Sequence, residues 1–430
     1  MSIGYACLTL GVPFTDMKKC LIKNADEVRL NQLIAANLCA LERMVDYNLR
    51  NGIKLFRISS DIIPFASSPV NSIRWSEDYA FQLAEIGRKI RTGGMRVSMH
   101  PGQYTVLNSP NAQTVENAIR ELDYHALFLD SLGLDASHKI ILHLGGAYGD
   151  KSLAIKRFTE RYQALDDRVK ARLVIENDDK IYNIQEVLET GLDNRIPVVF
   201  DNLHHQANHG GDGGGEQNWI AECAKTWGRD DGRQKIHYSQ SNPRKKVGAH
   251  SLSIDIDAFL HFYENLALPK PDIMLEVKDK NISAIKCVLC TAEKGEMGAL
   301  EREWGRYKYL VLEHSQAIYN QIRILLKDKS AYPAVAFYRL VEEAMRIHIP
   351  VGGAVNAATH VWGYFKDCAS QRQKADFLKY IDGYAKGIVP LFSLKHKLLS
   401  LALEHKQTYL LESYYFVKLY SDALTTVDRD

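Results

Sequence analysis

The feature that most constrains the fold is a regular alternation of short, β-rich apolar runs with longer helix-forming stretches over residues 1–290. Helical segments such as 24–50 carry apolar residues at steps of three and four and end at Asn51-Gly52. Eight apolar runs are predicted strands, at residues 3–10, 53–59, 95–100, 139–144, 172–177, 197–202, 235–239 and 272–277. Eight strand and helix units in succession predict an α/β fold, a (β/α)8 TIM barrel. A doubly wound sheet is the competing architecture, but no G-x-G-x-x-G motif follows the first strand.

After residue 290 the alternation stops and the pattern is helical. We therefore predict two domains, a barrel over 1–290 and a smaller all-α domain over 291–430. The length of 430 residues and the hydrophobic fraction of 46% allow cores of this size. Aromatic residues of the second domain interleave with lysines, which fits either a DNA-binding surface or an amphipathic bundle with an aromatic core.

Composition excludes several classes of protein. A charged fraction of 25% with 28 Gly and 12 Pro is typical of a globular chain and not of a disordered or collagen-like one. No window approaches the roughly 18 uncharged apolar residues of a spanning helix, and no basic stretch precedes the first apolar run, so we expect a cytoplasmic protein. The seven scattered cysteines argue against a secreted disulfide framework. A net charge of +2 neither indicates nor excludes a nucleic-acid partner.

Polar residues that can bind metal ions stand at the carboxyl ends of six predicted strands or in the loops that follow. In a barrel this end builds the active site. The set contains five histidines and three carboxylates, namely His100, His143, Glu176, Asp201, His204, His237, His250 and Glu276. Burying so many polar groups is costly, and bound metal ions would compensate that cost. Histidine and carboxylate ligands suit Mn²⁺, Zn²⁺ or Fe²⁺, and two or three ions sharing a bridging carboxylate would use the whole set.

Such ion clusters activate water and bind a transferring phosphoryl group, so the favoured reaction is phosphodiester hydrolysis. A metal-dependent sugar isomerase on a similar barrel is a more distant alternative, because isomerases need only one or two ions. A non-enzymatic DNA-binding module is another, but it leaves the convergent ligands unexplained.

The motifs around these residues resemble those of the UV damage endonuclease family, whose fold and metal site are similar to those of endonuclease IV. The matching segments are GY at 4–5, FRISSDIIPF at 56–65, MHPGQYTVLNSP at 99–110, HLGG at 143–146, IEND at 175–178, FDNLHH at 200–205, KIHYS at 235–239 and MLEVKDK at 274–280. In the second domain, residues 356–366 and 383–399 resemble a helical domain of unknown function found with repair proteins.

The resemblance implies a DNA-repair endonuclease that nicks damaged double-stranded DNA immediately 5′ of cyclobutane dimers and 6-4 photoproducts, and often at abasic sites. Water activated by two to three divalent ions, Mn²⁺ in the first place and Zn²⁺ or Mg²⁺ otherwise, would leave a 3′-hydroxyl and a 5′-phosphate. An abasic-site endonuclease of endonuclease IV type is the near alternative. We expect a monomer without a membrane partner.

The resemblance also assigns roles to individual residues. One ion would be held by His100, His143 and Glu176. Glu176 would bridge to a second ion held by Asp201, His237 and Glu276, and a third would be held by His204 and His250. The expected catalytic residues are Glu176, Lys235 and His237. Lys235 matches the family's carboxylated lysine and would be a further metal ligand in that form; an unmodified lysine contacting phosphate is the alternative.

DNA recognition is assigned to other residues. Gln103 and Tyr104 match the family's probing pair, which fills the gap left by extruded bases, and Tyr5 matches a third lesion contact. The sequence departs from the expected pattern at two positions. Gly248 stands where endonuclease IV has an Asp two positions before the ligand equivalent to His250, and Ser68 stands where many family members carry a His near the metals.

Overall fold

The computed structural model describes residues 1–211, 215–242, 245, 248–417 and 419, and they form two compact units. The first unit comprises Met1–Thr9, Phe14–Ile254 and Ala258–Ile285. The second comprises Leu10–Pro13, Asp255–Asp257 and the chain from Lys286 onward. The predicted domain boundary at residue 290 lies close to the start of this last segment. Within the described ranges, no helix has both the length and the apolar character that crossing a membrane requires.

The first unit is a closed barrel of eight parallel strands arranged in sequence order. The strands are β1 Ile3–Ala6, β2 Leu55–Ile58, β3 Arg96–Met99, β4 Ile140–His143, β5 Leu173–Glu176, β6 Val198–Asp201, β7 Lys235–Tyr238 and β8 Asp272–Leu275. Pairing of β1 with β8 closes the ring. Each strand lies within a predicted apolar run but is shorter; β1, for example, ends at Ala6 because Cys7 is left-handed, with φ 68°. The predicted TIM barrel followed by a helical region is confirmed.

Helices follow the strands and cover the barrel. Up to residue 290 they are α1 Glu27–Arg50, α2 Trp75–Asp78, α3 Ala80–Thr92, α4 Ala112–Ser131, α5 Lys151–Gln163, α6 Asp167–Lys170, α7 Ile184–Asn194, α8 Asn202–Ala207, α9 Glu216–Ala224, α10 Ile256–Glu264 and α11 Asn281–Cys290. α1 begins after Asp26, whose side chain accepts a hydrogen bond from the Arg29 amide. It ends before Gly52, which has φ 70°, as the Asn-Gly pair predicts.

The barrel interior is layered, because alternate residues of a strand share a face. Ala6, Leu55 and Met274 form one apolar cluster, and Ile141, Val174 and Val199 form another. The interior positions two residues further toward the carboxyl end of these strands carry polar side chains. We call this set the polar layer; it consists of Arg57, His100, His143, Glu176, Asp201, His237 and Glu276.

The second unit is helical. Its helices are α12 Met297–His314, α13 Gln316–Leu325, α14 Ala334–Arg346, α15 Val351–Trp362, α16 Gln371–Ala385, α17 Leu391–Glu404 and α18 Thr408–Leu411. Tyr309, Phe365 and Tyr415 belong to its buried core, as the amphipathic-bundle interpretation predicts. Tyr364 and Tyr409 are exposed. Residues 420–430 of the predicted second domain lie outside the described residues.

Candidate metal centre

The structure places the predicted ligands at the carboxyl end of the barrel. His143, Glu176 and Asp201 are the last residues of β4, β5 and β6. His237 lies in β7, while His100 and Glu276 directly follow β3 and β8. The remaining two ligands lie beyond the strands, His204 in α8 and His250 in the loop after β7.

Glu176 lies between two groups of histidines. Its Oε2 is 3.2 Å from Nε2 of His100 and 3.7 Å from Nε2 of His143. Its Oε1 is 2.6 Å from Nδ1 of His237 and 3.8 Å from Nδ1 of His204. Each carboxylate oxygen therefore faces a separate set of nitrogen donors, which is the arrangement of a bridging ligand.

Two groups of ligand atoms are close enough to hold an ion. His100, His143 and Glu176 form one group, and Glu176, Asp201 and His237 form the other; within each, the ligand atoms lie within 4.8 Å of one another. Glu276 lies beside the second group, with Oε1 3.3 Å from Nδ1 of His237. These groups are the sets predicted for the first two ions, apart from Glu276.

Buried atoms without partners provide a test of whether these residues fit a metal ion. Asp201 Oδ1 accepts the His204 amide at 2.7 Å and so caps α8. Among the described residues, Asp201 Oδ2 and His237 Nε2 are buried and have no hydrogen-bond partner. Leaving a buried carboxylate oxygen unsatisfied is costly, and a cation bound by the second group would remove that cost for Asp201 Oδ2. The oxygen and nitrogen donors suit a divalent ion such as Mn²⁺ or Zn²⁺.

His204 and His250 are not part of either group. Nδ1 of His204 is 2.9 Å from the Asn177 carbonyl oxygen, and Nδ1 of His250 is 2.9 Å from the Ser239 hydroxyl. In the described part of the chain, neither belongs to a group of three close ligands. Their nearest carboxylates already belong to the polar layer: Nδ1 of His204 is 3.8 Å from Oε1 of Glu176, and Nε2 of His250 is 3.9 Å from Oε2 of Glu276. The third ion stays a prediction.

The crowded carboxylates shift one another's proton affinity. Burial raises the pKa of Asp201 to about 6, and the negative charges of Glu176 and Glu276 add to that effect. Burial alone would lower the pKa of His204, but Asp201, Glu176 and Glu276 outweigh it and raise the pKa to about 9. Without a cation, the site therefore attracts protons.

The other two carboxylates remain ionised in spite of burial. Burial would raise the pKa of Glu176, but His237 and His100 hold it well below its usual range. Burial has the same effect on Glu276, and there Arg57 outweighs it. Both side chains are thus available as anionic ligands.

Lys235 is the first residue of β7 and has no exposed surface. Among the described residues, its Nζ is buried without a hydrogen-bond partner. Burial, together with the positive charges of Arg96 and Arg57, holds the pKa of this amine well below its usual range. The amine is therefore poised to be neutral, which is the form that reacts with CO₂. It lies two residues before His237 in the barrel interior and not in the loop that contains His250.

Gln103 and Tyr104 lie in the loop between β3 and α4, and both are exposed, Tyr104 by 82% of its surface. A cleft of about 550 Å³ adjoins this loop and is lined by Arg57, His100 and Tyr104, among others. The predicted probing pair therefore stands at the surface, close to the polar layer.

Tyr5, which we predicted to contact a lesion, is buried in this structure. The side chain has no exposed surface and packs against Phe56. Its hydroxyl bonds the Thr9 hydroxyl at 2.5 Å and donates to Asn48 Oδ1 at 2.8 Å. In this conformation Tyr5 is a core residue, because it lies on the side of β1 that faces α1, where its hydroxyl reaches Asn48.

Ser68 lies in the loop after β2, and its hydroxyl accepts from the Val70 amide at 3.4 Å.

Sequence reasoning missed Arg57, which joins the polar layer from β2 and donates from Nη1 to Glu276. The available signal was a charged residue inside an apolar strand, since such a residue is rarely buried unless it is paired.

Comparison with known proteins agrees with this arrangement. The family model described as UV-endonuclease UvdE matches residues 3–300, and that of a protein of unknown function, DUF1722, matches residues 308–419. A UV DNA damage endonuclease of Clostridium perfringens is 37% identical over 404 residues, covering 93% of this chain and 97% of the relative. One from Bacillus mycoides is 34% identical over 278 residues, covering 64% of this chain and 86% of the relative.

Among solved structures, the crystal structure of SacUVDE superposes with a TM-score of 0.64 at 37% identity, covering 67% of this chain and 96% of that one. The family match spans more than half of the present chain and includes every residue of the polar layer. The chain belongs to the UV-endonuclease UvdE family.

Proposed function

We propose that this protein is a metal-dependent DNA-repair endonuclease that nicks duplex DNA immediately 5′ of UV photoproducts. Cyclobutane dimers and 6-4 photoproducts are the proposed substrates, with abasic sites as a further one. The products carry a 3′-hydroxyl and a 5′-phosphate. Support comes from relatives that are named UV DNA damage endonucleases and from the ligand groups of the polar layer.

The observation that carries the proposal is the position of Glu176. One buried carboxylate faces His100 and His143 with one oxygen and His237 with the other. Two ligand groups that share one carboxylate suit ions a few ångströms apart, the spacing of two-metal phosphodiester chemistry. We propose two to three ions, Mn²⁺ in the first place.

Ions bound there supply a nucleophilic water at neutral pH and neutralise charge on the phosphate. The protein's own part is to hold the groups in place. Glu176 and Asp201 remain rigid because both end buried strands and are almost fully buried. Asp201 is further held by the His204 amide. Glu176 and His237 are in direct contact, with Oε1 2.6 Å from Nδ1, and we propose both as catalytic residues.

We propose that Lys235 carries a carbamate. Its buried amine, with a depressed pKa and no partner among the described residues, has the properties that carbamate formation needs. Mass spectrometry of the intact protein at neutral pH, with and without added bicarbonate, tests the assignment. A carbamate adds the mass of CO₂ and is lost on acidification, and Lys235→Arg removes the addition. An unmodified Lys235 under all conditions contradicts it.

We propose that Gln103 and Tyr104 recognise the lesion. A crosslinked dinucleotide stacks poorly and is cheap to extrude, so an aromatic face and an amide can replace it in the duplex. The exposed position of both residues beside the cleft fits this task. A monomeric state and a cytoplasmic location stay predictions.

The proposal is tested by incubating the purified protein and Mn²⁺ with end-labelled duplexes that contain a cyclobutane dimer, an abasic site or no damage. We expect a nick directly 5′ of the dimer, with a 3′ end that a DNA polymerase extends. His100→Ala should abolish cleavage, whereas His396→Ala, an exposed histidine of α17, should not. Equal cutting of all duplexes, or of none, contradicts the proposal. Cutting confined to the abasic duplex would identify an abasic-site endonuclease instead.

A further inference from the structure

Arg57 is a charged side chain within the polar layer that has no part in the function proposed so far. It lies on β2, on the same face as Leu55, which packs with Ala6 and Met274 inside the barrel. Its Nη1 donates to Glu276 Oε1, and the side chains of the two residues are 13% and 15% exposed. Among the members of the polar layer, Arg57 is the one arginine or lysine.

The guanidinium of Arg57 has more N–H donors than its bond to Glu276 uses. An arginine carries five N–H donors in a planar fork. Among the described residues, Nε of Arg57 is buried and has no hydrogen-bond partner. The bond from Nη1 to Glu276 therefore leaves part of the fork unused, although the pair is largely removed from water.

Arg57 is one of the residues that line the cleft of about 550 Å³ described above. Besides Arg57, this cleft is lined by Ser59, Ser60, His100 and Tyr104. It therefore lies between the polar layer, where cleavage is proposed, and the loop that carries the probing pair. An oxyanion is the natural ligand there, because phosphate oxygens match the fork of an arginine as carboxylates do.

We propose that Arg57 binds a non-bridging oxygen of the DNA backbone in this cleft, and that Glu276 holds the guanidinium in place before DNA arrives. The inference rests on the proposed function, because its ligand is a phosphodiester of damaged DNA.

A purely structural role is the competing explanation, in which Arg57 does nothing but neutralise Glu276. The two explanations differ in a protein without the Glu276 carboxylate. If Arg57 only neutralises Glu276, replacing Arg57 in that protein should not change DNA binding. If Arg57 binds phosphate, the same replacement should still weaken DNA binding. A double-mutant comparison of Arg57→Gln with Glu276→Gln separates them.

The experiment measures binding and not cleavage. The full-length protein, stripped of metal with EDTA, is titrated against a fluorescent duplex with one cyclobutane dimer over a range of salt concentrations. Arg57→Gln should weaken binding about tenfold, the loss expected for one charged hydrogen bond. It should also reduce the slope of log affinity against log salt by about 0.9, the value for one phosphate contact. Arg57→Lys should keep the slope, because the charge remains.

The effect of Arg57→Gln should persist in the Glu276→Gln background. Arg88→Gln removes an exposed arginine of α3 that pairs with Glu85 and should change nothing. Should Arg57→Gln alone fail to fold, because it leaves Glu276 unpaired, the comparison of Glu276→Gln with the double variant carries the test.

An effect of Arg57→Gln that vanishes in the Glu276→Gln background overturns the inference, and so does an unchanged salt slope. If the wild-type protein binds damaged and undamaged duplexes equally, the proposed function fails as well. Preferential binding of damage by the wild type, combined with an unchanged Arg57→Gln variant, overturns the Arg57 assignment alone.

Discussion

His204 shows how strongly the site's negative charge acts on a single side chain. Its pKa is raised from 6.5 to about 9, because Asp201, Glu176 and Glu276 outweigh the effect of burial. A raised folded pKa stabilises the folded state fully below the unfolded pKa, and this stabilisation is lost as pH rises through the folded value. Urea unfolding of the EDTA-treated protein should therefore show His204's contribution falling between pH 6.5 and about 9.

The matched control is His204→Gln, which cannot titrate. We expect its stability to change less with pH across the same window than that of the wild type. If the two proteins lose stability in parallel, the charge of His204 is not the cause.

Tyr5 offers a second prediction at this scale. Its buried hydroxyl has two partners, Thr9 and Asn48. Tyr5→Phe should cost about 1–2 kcal/mol of unfolding free energy, because it leaves a buried acceptor without its donor. The preference for damaged over undamaged DNA should stay unchanged. If Tyr5→Phe has normal stability but no longer distinguishes damaged from undamaged DNA, the result would support the lesion contact that we first predicted for Tyr5.

At the scale of elements, the loop between β3 and α4 joins a fixed base to an exposed tip. Pro101 and Thr105 are buried, and the Thr105 amide donates to the Gly102 carbonyl oxygen at 2.9 Å. The tip carries Gln103 and Tyr104, so these two side chains can be removed without disturbing the buried neighbours of His100. Recognition and catalysis are therefore separable in this loop.

The double variant Gln103→Ala/Tyr104→Ala should keep the metal content of the wild type and lose discrimination. Base stacking on an aromatic side chain is worth about 1–3 kcal/mol, so the preference for a dimer-containing duplex should fall about tenfold. Metal analysis and parallel cleavage assays measure both effects. Phe81→Ala, which removes an 83% exposed ring from α3, is the control and should affect neither. Loss of metal in the double variant would contradict the separation.

At the scale of the whole molecule, the polar layer is held together by the closed barrel, since its members come from strands far apart in sequence. Folding without ions forces the buried carboxylates Glu176, Asp201 and Glu276 together, and bound ions relieve that repulsion. A ligand at 100 times its Kd stabilises by about 2.7 kcal/mol per site. Calorimetry should show that EDTA lowers the unfolding temperature and that added Mn²⁺ restores it.

Glu176→Gln should respond less to Mn²⁺ than the wild type, because it weakens both ligand groups at once. His261→Ala, outside the polar layer, should respond as the wild type does. Equal responses of wild type and Glu176→Gln would show that Mn²⁺ acts elsewhere.

Much of this architecture could be predicted from the sequence, because the local pattern of apolar and polar residues indicates which segments are buried. Apolar runs such as 139–144 mark strands that are covered on both faces, and a strand's end marks where polar side chains are tolerated. His143 and Glu176 could therefore be assigned to one end of the barrel. Family motifs added Gln103 and Tyr104, which no periodicity distinguishes from other loop residues.

Hydrophobic pattern alone could not predict which of these side chains are neighbours, because that depends on how the strands are staggered around the ring; the ligand sets came from the family resemblance. The register pairs His143 with Glu176 and Asp201 with His237, and so makes Glu176 the shared ligand. The same closure places Arg57 of β2 against Glu276 beyond β8, and the packing of α1 against the sheet buries Tyr5. The strands, their order and the types of ligand could be predicted from the sequence, since these follow from hydrophobic pattern and residue chemistry. Which side chains meet depends on the folded barrel, because contacts across a closed barrel are set by shear and not by separation along the chain.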